Sequence, residues 1–177
     1  MADELTVNDR SLRLVKGDII DLDIEAVVYY AQHDLNLGSG FGTAISIRGG
    51  PEVQKELKEL GSLKTTEAVV TGAGEMKAKH IIHAVGPRFQ EEGLENKLKA
   101  TIDNALKQAE GKGIKAIVFP PMGTGFYGVP LDMCARVLLG SISDHLAGKT
   151  SLREVTVCLL DNREYKPFQA QIASMKK

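Results

Sequence analysis

Phe119-Pro120-Pro121-Met122-Gly123-Thr124-Gly125-Phe126-Tyr127-Gly128-Val129-Pro130 is the stretch whose reading decides the fold. The apolar, β-branched run Ile114–Phe119 leads into it, and the helical pattern Leu131–Leu146 follows. The order is strand, glycine-rich loop, helix start. Glycines bring backbone N–H groups close to a ligand without interference from Cβ, and a helix start adds unpaired N–H groups and the positive dipole end. Such a loop suits a phosphate or diphosphate, although a turn that only needs positive φ reads the same way. A second loop, Gly38-Ser39-Gly40-Phe41-Gly42, also lies between a strand and a helix. Two such loops in one small chain favour ligand binding over mere turning.

The 177 residues fit a single domain spanning 1–177. An apolar fraction of 43% and a charged fraction of 25% are ordinary for a globular chain, and a net charge of −1 removes the basic field that drives non-specific nucleic-acid binding. Cys134 and Cys158 sit in apolar surroundings without CxxC or Cys/His spacing. They read as reduced core residues, with no metal site. The acidic start Met-Ala-Asp-Glu-Leu-Thr lacks an apolar leader, and no segment approaches 18 consecutive apolar residues. The expectation is a cytoplasmic protein with no membrane partner.

Working outward, Leu12–Val15 reads as a strand, Ala26–Ala31 as a buried central strand, and Gly40–Arg48 as a short helix. Pro51 opens a further helix that Gly61 closes. Glu67–Thr71 and His80–Val85 follow as strands, Leu94–Gly111 as a helix, Glu154–Leu160 as the last strand, and a terminal helix begins near Glu164. Alternating strands and helices in the second half imply parallel crossovers, and the adjacent strands at 67–85 imply mixed pairing. The predicted fold is α/β: a three-layer α/β/α sandwich around a mixed, mostly parallel sheet of about six strands. In such sheets ligands bind at the carboxyl ends of the strands, where both glycine loops lie.

Four stretches, in order and spanning nearly the whole chain, give the sequence a family resemblance. They are Gly17-Asp18-Ile19; Leu37-Gly38-Ser39-Gly40-Phe41-Gly42-Thr43-Ala44-Ile45; His80-Ile81-Ile82-His83-Ala84-Val85-Gly86-Pro87; and Phe119 to Pro130. Together they resemble a macro domain, the ADP-ribose-binding module of the Appr-1″-p processing family. The resemblance implies that Asp18 accepts a hydrogen bond from the adenine amino group and that Ile19 offers a backbone contact. It implies that Gly38, Ser39, Gly40, Phe41 and Gly42 touch the distal ribose and part of the diphosphate. Gly123, Thr124, Gly125, Phe126 and Tyr127 would wrap the diphosphate. Phe126 would pack on the distal ribose, or else be plain core. No cofactor is implied.

The chain also departs from that pattern. Hydrolytic members usually carry Asn-Ala-Ala-Asn at the end of the second strand, and here Tyr29-Tyr30-Ala31-Gln32 stands in its place. Gln32 is one methylene longer than Asn. Where one hydrolase subclass has an Asp in the glycine loop, this chain has Gly42, which can neither orient a water nor accept a proton. Leu160 takes the place of the aromatic that often stacks on adenine. Catalytic residues are therefore unassigned. Gln32, His33 and Asp34 are the remaining candidates, with His33-Asp34 equally readable as solvated surface and His83 as a structural histidine.

Three functions follow from the resemblance. The first is binding of ADP-ribose, or of an ADP-ribosylated molecule, between the two loops with little or no hydrolysis. The second is hydrolysis of ADP-ribose esters such as O-acetyl-ADP-ribose or ADP-ribosylated Asp and Glu. The third is binding of poly(ADP-ribose) or adenine-rich RNA, against which stand the near-neutral charge and the lack of a basic-aromatic stripe. On this reading, restoring Gln32→Asn with Gly42→Asp raises turnover.

Overall fold

Six successive buried residues, Ala26-Val27-Val28-Tyr29-Tyr30-Ala31, build the central strand, because a parallel strand covered on both faces has no solvent side to keep polar. The computed structural model describes residues 3–38 and 40–176. In chain order these contain β1 (Glu4–Val7), β2 (Arg10–Lys16), β3 (Ala26–Ala31), α1 (Phe41–Gly49), α2 (Pro51–Leu60), β4 (Ala68–Gly72) and β5 (His80–Val85). They continue with α3 (Leu94–Gly111), β6 (Ala116–Phe119), α4 (Leu131–Ala147), β7 (Glu154–Leu159) and α5 (Asn162–Met175). Single 3-10 turns stand at Ile19–Asp21 and Gly125–Tyr127.

The sheet order is β1-β2-β7-β6-β3-β5-β4. The four inner pairings are parallel, and the edge pairs β1–β2 and β4–β5 are antiparallel. The sheet has seven strands rather than six. The missed strand, β1, is short and alternates between exposed and half-buried residues. It joins β2 through Asn8-Asp9, both at positive φ, and Val7 faces Arg10 directly. That is a two-residue type I′ hairpin, for which Asn and Asp are suited.

Alternation along β3 sends side chains to opposite faces. Val28 and Tyr30 join the larger core, which takes Leu98 and Ile102 from α3, Leu138 and Ile142 from α4, and Phe168 and Ile172 from α5. Val27 and Tyr29 join the smaller core with Ile45 from α1 and Val53 and Leu57 from α2. The result is the expected three layers. Helix α5 begins at Asn162 rather than near Glu164, because the Asp161 side chain accepts from the Glu164 N–H at 3.0 Å and caps it.

Candidate functional site

The site follows from where neighbouring strands part. Strands β3 and β6 pair only at Ala26–Ile117 and Val27–Val118, after which β3 continues alongside β5 as far as Ala31 and Val85. From β3 the chain passes to α1 and α2 on one face of the sheet. From β6 it passes to α4 on the other. Two adjacent parallel strands whose connections leave in opposite directions open a crevice at their carboxyl ends. Three cavities of about 310, 380 and 540 Å³ lie along this crevice and share residues end to end.

The smallest cavity holds Gly17, Asp18, Ile19, Cys158 and Leu160. Asp18 caps the Ile19–Asp21 turn, its Oδ1 accepting from the Ile20 N–H at 3.1 Å. The second carboxylate oxygen has no partner among the described residues. Leu160 is a wall at the rim, 70% exposed. The Cys158 thiol donates to Gly17 O at 3.4 Å, and burial pushes its pKa up to about 12, so it is a packing residue and no thiolate.

Both glycine loops meet at the middle cavity, which Gly40, Phe41, Pro120, Pro121, Gly123, Thr124, Phe126 and Tyr127 line. Helix α1 starts at Gly40 with no side-chain cap among the described residues, which leaves its first-turn N–H groups available. Among the described residues lining this cavity there is no Lys or Arg. An anion here would rest on neutral donors, the backbone N–H groups of the two loops foremost. The two loop glycines do different things. A Cβ at Gly123 would sit 2.7 Å from Val129 Cγ2 and 3.1 Å from the Tyr30 ring, whereas one at Gly125 would meet nothing within 4 Å. Ser39 lies outside the described residues. Gly38 approaches the Gln32 amide, its Cβ position being 3.5 Å from Gln32 Nε2. Gly42 lies inside α1, buried, and lines none of the three cavities. The Tyr29 hydroxyl occupies the space beside its α-carbon.

Tyr29 and Tyr30 reshape the crevice. The Tyr29 ring stands edge-on to Phe41 with centroids 5.3 Å apart and edge-on to His83 at 6.0 Å. Burial lifts its hydroxyl to about 12, so it stays neutral. Tyr30 packs on Tyr127 at 4.8 Å and donates its hydroxyl to Pro87 O. Gly86 and Gly123 leave room for that ring, since a Cβ at Gly86 would overlap it.

The largest cavity joins Gln32, His33 and Asp34 to Gly86, Arg88, Phe89, Phe126 and Tyr127. Gln32 lines this cavity and the middle one. His33 is tied down: Nδ1 lies 3.1 Å from Leu63 O and Nε2 3.2 Å from Thr65 Oγ1. A carbonyl only accepts, so Nδ1 carries the proton and Nε2 takes the Thr65 hydroxyl. The imidazole thus joins two loops, with both ring nitrogens engaged. Asp34 Oδ1 accepts from the Asn36 N–H at 2.9 Å. Phe126 is 87% exposed, standing edge-on to Tyr127, which rules out plain core. No group of three or more His, Cys, Asp or Glu side chains able to hold a metal is present among the described residues.

Two cleft elements were not picked out from sequence. Arg88-Phe89 follows the His80–Pro87 stretch at the carboxyl end of β5, a position that could have flagged it. Glu164 lines both the small and the middle cavity, but its place in the first turn of a helix reads as capping.

Fold and crevice together define a doubly wound α/β domain with an elongated anion-compatible cleft at its strand switch point. The chain belongs to the macro-domain family: the Macro domain model matches residues 28–138. It is 37% identical to a macro domain-containing protein of Caldanaerobacter subterraneus subsp. tengcongensis, over 94% of this chain and 98% of the relative. A Listeria monocytogenes macro domain-containing protein is 36% identical over 92% and 97%. Among solved structures, the Oceanobacillus iheyensis macrodomain with ADP superposes with a TM-score of 0.93 at 29% identity, covering 99% of this chain and 96% of that one. The Trypanosoma brucei macrodomain in complex with ADP-ribose matches with a TM-score of 0.84 at 26% identity, over 90% of this chain and 68% of that one.

Proposed function

We propose that this protein binds ADP-ribose, or the ADP-ribosyl group of a modified molecule, along the three-cavity crevice, and that it does so as a binding module with little or no hydrolysis. The observation that carries the reading is the alignment of three features at one switch point. Asp18, with a free carboxylate oxygen, stands at one end, backbone N–H groups of two glycine loops line the middle, and an open cavity bounded by Gln32 and Phe126 lies at the other end. Adenine, diphosphate and distal ribose would occupy them in that order. Ligands of this kind in the Oceanobacillus and Trypanosoma structures support the assignment.

Weak or absent catalysis is supported by the chemistry at the far end. Gln32 offers an amide, His33 has both ring nitrogens engaged, and Gly42 has neither a side chain nor space for one. General acid–base groups each supply about 10²–10⁴-fold, and among the described residues none stands free beside the distal pocket except Asp34. A cytoplasmic setting fits the two free, buried cysteines, and residues 1–177 would act as one unit. RNA is disfavoured by the net charge of −1. Titration calorimetry with ADP-ribose, AMP and NAD tests the reading. ADP-ribose should bind and AMP more weakly, and absence of both heat and thermal shift at millimolar ADP-ribose overturns it.

A further inference from the structure

We propose that Glu164 makes the cleft selective for an unsubstituted ribose diol beside the base, so that the protein takes ADP-ribosyl groups of the NAD type and rejects those with a 2′-phosphate. This deepens the ADP-ribose reading above and rests on it. The adenine-end and diphosphate-end cavities share five residues: Gly40, Phe41, Pro120, Pro121 and Glu164. A ligand with its base at Asp18 and its diphosphate at the Gly123 loop must carry its proximal ribose past those five. Of them, only Glu164 has a polar side chain.

The carboxylate is set for the task by its own helix start. Its Oε1 accepts from the Leu160 N–H at 2.8 Å, while its backbone N–H donates to Asp161 Oδ1 at 3.0 Å. Together these hold the side chain against the crevice wall, where it is 14% exposed. The other oxygen, Oε2, has no hydrogen-bond partner among the described residues, the Arg163 guanidinium standing 3.8 Å away and beyond hydrogen-bond distance. Arg163 is itself 70% exposed and lines neither cavity. Oε2 is thus free to accept from ribose hydroxyls, which donate without bringing charge. A 2′-phosphate would instead bring about two negative charges against a poorly solvated carboxylate. No Lys or Arg lines either cavity among the described residues to offset that repulsion. Acidic side chains discriminate 2′-hydroxyl from 2′-phosphate in the same way at other nucleotide sites.

The test is competition calorimetry on the native protein with ADP-ribose and ADP-ribose 2′-phosphate, repeated with Glu164→Gln. Gln keeps the shape and can still accept from the Leu160 N–H. The native protein should favour ADP-ribose by about 10- to 100-fold, as expected for charge-assisted recognition, and Glu164→Gln should shrink that ratio several-fold. Binding of both ligands within threefold by the native protein overturns the proposal while leaving the ADP-ribose reading intact. An unchanged ratio in a Glu164→Gln protein with native-like melting overturns it too. Failure of the native protein to bind either ligand removes the underlying reading and this inference with it. If Glu164→Gln does not fold, the native comparison decides alone.

Discussion

The hydroxyl of Tyr29 fills the space over the α-carbon of Gly42, so that a Cβ at position 42 would overlap it and would also lie 3.2 Å from Leu37 Cα. Two of the positions that depart from the hydrolase pattern, Tyr29 and Gly42, are therefore sterically coupled. An aromatic ring occupies the space that a side chain at position 42 would need, so a residue larger than Gly there requires a smaller one at position 29.

Gly42→Asp alone should cost roughly 1–3 kcal/mol of stability through overpacking, read as a lower denaturation midpoint. Adding Tyr29→Asn should recover most of the loss. The double change Gln32→Asn with Gly42→Asp should not raise hydrolysis of ADP-ribosyl-glutamate, contrary to the expectation from sequence, because Tyr29 still occupies the site. A gain of turnover in that double variant with Tyr29 in place would refute the coupling.

Asp18 has two separable roles, capping through Oδ1 and ligand recognition through its free oxygen. Asp18→Asn keeps a cap acceptor, so it should melt near the native temperature. It should weaken ADP-ribose about 10- to 100-fold through loss of a charge-assisted hydrogen bond. The hypoxanthine analogue should bind the native protein comparably poorly and gain little further penalty from the mutation. Equal sensitivity of native and variant proteins to that base change would show that Asp18 does not read the base.

Gly123 and Gly125 should respond oppositely. Gly123 has φ +76 and no room for a Cβ, so Gly123→Ala should chiefly lower stability. Gly125 has φ +77 but open space around it, so Gly125→Val should leave a folded protein, strained by roughly 1–3 kcal/mol. Its new side chain would enter the path of the diphosphate and abolish binding. Thermal melting and ADP-ribose titration of both variants separate the effects, and retained binding by Gly125→Val would mean the loop only turns the chain.

His83 is wholly buried beside Tyr29, and burial pushes its pKa down to about 4. The Thr71 hydroxyl donates to Gly72 O at 2.8 Å and so accepts from His83 Nε2–H at 2.9 Å, leaving Nδ1 unprotonated and without a partner among the described residues. On acidification the unfolded chain takes up the proton near its ordinary value, before the folded protein does. Stability should therefore fall as pH drops from about 6.5 toward 4, by up to about 3 kcal/mol, with no contribution above that window. Denaturant titrations across this range should show the loss in the native protein and a shallower one in His83→Leu. Equal slopes would mean that His83 is not the sensor.

The sequence by itself determined the layer order, the mostly parallel sheet, and the meeting of the two glycine loops at one edge. These depend on local signals: the period of apolar residues in α3 and α4, the unbroken apolar run of β3, and Pro51 and Gly61 bracketing α2. Strand β1 escaped because its alternation runs over four residues only, too few to register as a period, and only its pairing with β2 makes it a strand. What the tertiary structure alone decided is which loop residues face the cleft. The loop spacing treats Gly42 and Gly40 alike, yet one is buried under Tyr29 and the other lines two cavities. His33 and Gln32 are neighbours, yet one ties two loops together while the other faces both larger cavities. Glu164 reads as a helix cap and becomes a cleft wall because β7 ends beside β6. Periodicity reports which face of an element is apolar. Which polar side chains meet across the cleft depends on where distant strands stop pairing, and no local pattern encodes that.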